Sequence, residues 1–61
     1  MATKAQIKNI MKLHLRDCRD NITGEINHTM LAEKAANDLN LYIGDNFDIP
    51  EKVFEIALEF N

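Results

Sequence analysis

The stretch Asp48-Ile49-Pro50-Glu51-Lys52-Val53-Phe54-Glu55-Ile56-Ala57-Leu58-Glu59-Phe60 decides how this chain is read. Proline suits the first turn of a helix, where its missing N–H leaves no bond unmade. Asp48 and Glu51 have the spacing of a capping box. Beyond that opening, Val53, Ile56, Ala57 and Phe60 recur at helical spacing, and Phe54 and Leu58 widen the stripe. A helix over residues 49–60 is therefore predicted to be apolar around more than half its girth. One partner helix would not cover it. It belongs at the centre of the fold or in a seam between two copies.

Two more helices precede it. Thr3 is a natural N-cap with Gln6 completing a capping box. Ile7, Ile10, Met11, His14, Leu15 and Cys18 then follow along one face, which predicts a helix over residues 4–20 with Leu13 outside that face. Asn21-Ile22-Thr23-Gly24 reads as a turn, with Gly24 able to take positive φ. Asn27 is the next N-cap, and Ile26 before it can staple to Leu31. Leu31, Ala35 and Leu39, with Ala32 and Ala36 beside them, mark a helix over residues 27–42 whose alanines permit close approach. Gly44 is the expected C′ residue. Gly44-Asp45-Asn46-Phe47-Asp48 is a loop, and Tyr42 and Phe47 beside it are expected to close the end of the core. Their alternative role is to anchor a partner. The expected fold is all-α, a single three-helix domain spanning residues 1–61.

Length and composition support one small folded domain. The chain has 61 residues, of which 46% are hydrophobic and 28% charged, a balance found in folded rather than disordered chains. No apolar run approaches the ~20 residues of a membrane span. The opening MATKAQIKNI lacks the continuous apolar core of a signal peptide. The single cysteine, Cys18, cannot form an internal disulfide, which fits a reducing cytoplasm. Nineteen large side chains of the Ile, Leu, Val, Met and Phe types remain after Met1 is set aside. Domains this small are marginal and usually need a staple. Self-association is the expected one, as a homodimer whose seam includes Val53, Phe54, Ile56, Ala57, Leu58 and Phe60.

Charge is divided unevenly. Residues 1–20 carry Lys4, Lys8, Lys12, Arg16 and Arg19 against Asp17 and Asp20, a net of +3, whereas residues 21–61 carry −6. The four cations at positions 4, 8, 12 and 16 step by one helical turn, and Arg19 completes a basic face. We expect it to meet the acidic remainder of the same chain or of its dimer mate. The alternative is nucleic-acid phosphate or an anionic membrane surface. A sequence pI of about 5.1 and the absence of aromatics among the lysines weigh against nucleic acid.

Catalytic and metal chemistry find little to work with. His14 and Cys18 stand four apart on one helix face, but a structural zinc site needs four ligands. Packing is the simpler role for both, because a free cysteine behaves as a small buried hydrophobe. Cys18 lies mid-helix, away from the helix N-terminus that would activate a thiol. Glu51, Glu55 and Glu59 form an acidic ladder expected to be a solvated helix face. Neither an enzyme nor a cofactor is expected.

Residues Leu31-Ala32-Glu33-Lys34-Ala35-Ala36, running on to Leu39-Asn40-Leu41-Tyr42, and Asp48-Ile49-Pro50-Glu51-Lys52-Val53-Phe54-Glu55-Ile56-Ala57 together carry a resemblance. They are similar to small, mostly uncharacterised helical accessory proteins of lambda-type temperate phages and enterobacterial prophages. The resemblance implies a short cytoplasmic protein of the bacterial host cell, acting by binding on host physiology or on the lysis–lysogeny balance. It supplies no catalytic residue. A second likeness joins Met11-Lys12-Leu13-His14-Leu15-Arg16-Asp17-Cys18, and Ile49-Pro50 with Phe54, to small nucleoid-modulating proteins of the haemolysin-expression type, although the spacing between the two segments is shorter here. The leading expectation is a non-enzymatic interaction protein that binds a host or phage protein. The alternative is a nucleic-acid-associated regulator working through Lys4, Lys8, Lys12, Arg16 and Arg19.

Overall fold

A computed structural model of the chain describes residues 2–44 and 48–60. It is a three-helix domain: α1 spans Lys4–Cys18, α2 His28–Leu39 and α3 Glu51–Ala57. The first two starts follow the local sequence. Thr3 accepts from the Gln6 backbone while Gln6 Oε1 accepts from the Thr3 N–H, the reciprocal capping box. Asn27 Oδ1 accepts from the Met30 N–H at 3.1 Å. Each cap satisfies donors that a helix start leaves without partners.

All three helices end earlier than their sequence patterns suggest, and each for a backbone reason. The expected 4–20 helix stops at Cys18 because Arg19 turns extended and pairs with Ile26 in an antiparallel bridge. The Asn27 N–H then donates to the Cys18 carbonyl at 2.7 Å. Inside this hairpin, Asp20 Oδ1 accepts from the Ile22 and Thr23 N–H groups, and Gly24 takes φ +77° as expected of the turn. The expected 27–42 helix stops at Leu39, because Asn40 rather than Gly44 supplies the left-handed cap, at φ 52°.

The expected 49–60 helix is the most reduced. Its N-cap is Pro50 and makes no side-chain cap bond, so the Asp48–Glu51 capping box does not form. Asp48 is committed elsewhere: its carbonyl accepts from the Ile43 N–H at 2.7 Å in a second antiparallel bridge. Beyond Ala57 the chain tightens, with the Glu59 N–H donating to Ile56 and the Phe60 N–H to Ala57. The expected loop residues Asp45 to Phe47 lie outside the described residues, and with them the role assigned to Phe47.

The core is drawn from all three helices. Ile7, Met11 and Cys18 of α1, Leu31, Ala32 and Ala35 of α2, and Val53, Ile56 and Ala57 of α3 are buried in one cluster. Ile10, Leu15, Ile26, Met30, Leu39, Leu41, Phe54 and Phe60 pack around it, partly buried. The α1 face read from the sequence is therefore the inward face. Of the two places open to α3, the chain uses the central one: Val53, Ile56 and Ala57 turn into the chain's own core. These three are not free to line a seam between copies. Leu58 is the large residue of that stretch left outside, 65% exposed.

Burial separates leucines that look equivalent in the sequence. Leu31 is fully buried, whereas Leu13 is 75% exposed. Leu31→Ala should cost about 2–5 kcal/mol of unfolding free energy, since it leaves a cavity as well as losing burial. Leu13→Ala should stay within about 0.5 kcal/mol of the parent. Urea unfolding followed by circular dichroism measures both.

Candidate interaction surface

The outer side of α1 carries the residues with the least to do in the fold. Its basic stripe divides into engaged and unengaged positions. Lys4 Nζ lies 3.0 Å from Glu59 Oε2, and Lys8 Nζ lies 3.3 Å from Glu59 Oε1. One carboxylate thus joins the start of α1 to the turn that follows α3. This is the contact with the chain's own acidic remainder that the charge division suggested, made here by the first two lysines of the stripe. Lys12 and Arg16, the next two, are exposed and make no ion pair with any described residue. Arg19 has left the stripe as the extended cap of α1.

Between α1 and the end of α2 runs an open groove lined by Ala2, Gln6, Asn9, Ile10 and Leu13 of the first segment and Leu39 of the second. Lys12 is the charged residue of its lining. Leu13, which falls outside the inward face, is here an apolar residue with a location: it extends the partly buried Ile10 and Leu39 outward into solvent. The sequence carried a signal for it in that misfit. Its neighbourhood with Leu39 comes from packing between helices and has no local signature. Of the other strongly exposed apolar side chains, Ile22 at 94% and Ile43 sit in the two connections, and Leu58 at the C-terminal end of α3.

Alongside the groove the α1–α2 contact is fixed by polar groups. His14 Nε2 donates to Asp38 Oδ2 at 2.5 Å. His14 is half-buried at the boundary of the core, as its place on the α1 face suggested. At the other side of the domain His28 Nε2 donates to the Phe60 carbonyl at 2.8 Å, pinning the turn after α3 to the start of α2. Neither partnership is visible in local spacing. Among the described residues no three His, Cys, Asp or Glu side chains gather as metal ligands do. No helix of the described residues is long and apolar enough to cross a membrane.

Among the described residues three groups titrate away from their ordinary values. Burial pushes the Cys18 thiol up, against a smaller pull from Lys34. Backbone N–H groups of Thr23 and Ile22 hold the Asp20 carboxyl down. Hydrogen bonds from Lys4 and Lys8 do the same for Glu59.

The Glu59 shift sets a sign for acid stability. Its folded pKa lies below the unfolded one, so in acid the unfolded chain binds more protons. The contribution is present above the unfolded carboxylate value and is lost as pH falls through the folded value. Glu59→Gln should flatten part of the acid limb of a stability-versus-pH curve, and added salt should shrink the difference between the two proteins. A limb identical in both proteins would remove Glu59 from the account.

The buried, raised-pKa thiol of Cys18 should react with a disulfide reagent far more slowly in native than in denatured protein. Equal rates, followed at 412 nm with a reagent releasing thionitrobenzoate at about pH 8, would show that the site opens freely.

No known protein family, curated protein or solved structure matches the chain.

Proposed function

We propose that the chain is a non-enzymatic interaction protein that docks another protein chain on the outer face of α1. The observation that carries this reading is Leu13, 75% exposed beside Ile10 and Leu39 on a helix whose inner face is already filled. An apolar side chain left in water adds nothing to a domain with little stability to spare, and contiguous exposed patches commonly mark association sites. Lys12 and Arg16 give the face a charged margin, the usual arrangement of an apolar interface centre with a polar rim. The resemblance of residues 31–42 and 48–57 to phage and prophage accessory proteins supports a regulatory role in the cytoplasm of a bacterial host.

The nucleic-acid alternative loses surface to the same geometry. Glu59 occupies Lys4 and Lys8, and Arg19 no longer continues the helical stripe. Fewer available cations mean fewer phosphates neutralised and weaker binding.

The test is affinity capture from lysogenic enterobacterial cells with the parent, Leu13→Asp and Ile22→Asp proteins. A captured protein should be lost with Leu13→Asp and kept with Ile22→Asp, since Ile22 is exposed but remote from the groove. Capture indifferent to Leu13→Asp would overturn the reading.

A further inference from the structure

We propose that the occupant of the α1 face is a second copy of this chain, paired so that α1 of each protomer receives the outer face of α3 from the other. The assignment rests on the reading of that face as a docking surface, and it is carried by complementarity between two surfaces of the same molecule. Within one chain, α1 and the segment after α3 already meet by charge, through Lys4, Lys8 and Glu59. Lys12 and Arg16 on one side, and Glu51 and Glu55 on the other, have no ion pair with any described residue. All four are exposed.

The two unengaged pairs have the same spacing. Lys12 and Arg16 are four residues apart, as are Glu51 and Glu55, which is about 6 Å along a helix. An antiparallel register that sets Glu55 against Lys12 sets Glu51 against Arg16. The same register carries Leu58 to a position opposite Asn9, beside Ile10 and Leu13 in the groove. Leu58 and Leu13, at 65% and 75%, are the large exposed apolar side chains of these two faces.

Such a contact buries a leucine from each side under a double ion pair. Made twice about a two-fold axis, it closes on itself and covers both grooves without leaving a surface for a third copy. It also gives the exposed part of α3 the partner its sequence called for, while Val53, Ile56 and Ala57 stay in the monomer core.

Sedimentation equilibrium on the full chain tests this. The parent should be a concentration-dependent dimer that weakens with added salt. Lys12→Glu with Arg16→Glu in one protein, and Glu51→Lys with Glu55→Lys in another, should each weaken self-association about tenfold or more while circular dichroism stays helical. An equimolar mixture of the two variants should recover the parent's affinity, because each contact then pairs opposite charges again. A parent that stays monomeric at high micromolar concentration, masses that grow past the dimer, or a mixture that fails to recover would overturn the proposal. Absent self-association with capture still sensitive to Leu13→Asp would make the second copy the wrong occupant and leave the docking face standing. Recovery in the mixture, with capture insensitive to Leu13→Asp, would overturn the functional reading alone.

Discussion

The fold depends on how closely α2 lets its neighbours approach. Leu31, Ala32, Ala35 and Ala36 are its buried residues, and three of the four are alanine. Small side chains bring helix backbones near enough for short partners to share one interior. α3 has only seven residues, too few for a helix that is stable alone, so its form depends on the contacts it makes. Val53, Ile56 and Ala57 reach that interior because the alanines of α2 leave room, and Met11 of α1 fills it from the other side. Larger residues at Ala32 or Ala35 would push apart elements that have no other core to join.

Polar contacts then decide how those helices are held. His14 with Asp38 locks α1 to α2, His28 with the Phe60 carbonyl ties the end of the described chain to α2, and Glu59 ties it to α1. The segment after α3 is thus fastened to both other helices, although α3 itself ends at Ala57. Exposed ion pairs contribute little individually. Their value here is positional: they hold the segment after α3 against the other two helices, while burial of Val53, Ile56 and Ala57 sets which face of α3 turns inward.

Local signals carried most of the fold. Thr3 with Gln6, Asn27, and Gly24 could be read because each acts on backbone groups within three or four residues. The inward face of α1 followed from periodicity alone. The failures come from backbone choices that local chemistry leaves open. Asn40 and Gly44 can both take the left-handed conformation, and local chemistry does not choose between them. Asp48 has the look of a cap, but its carbonyl is used by Ile43. The surface was less legible than the core. Leu13 stood out as a misfit, while its meeting with Leu39, and the division of the lysines by Glu59, arise only when helices far apart in sequence pack.

The two antiparallel bridges bear on how the chain finds its fold. Arg19 with Ile26, and Ile43 with Asp48, each join backbone only a few residues apart. Closing so short a segment costs little chain entropy. Each helix therefore meets its sequence neighbour after a small conformational search, and the contact between α1 and the segment after α3 can wait until both bridges are in place. Helical topologies dominated by near-sequence contacts sit at the fast end of folding rates. In this domain, speed of assembly is written into its corners rather than its helices.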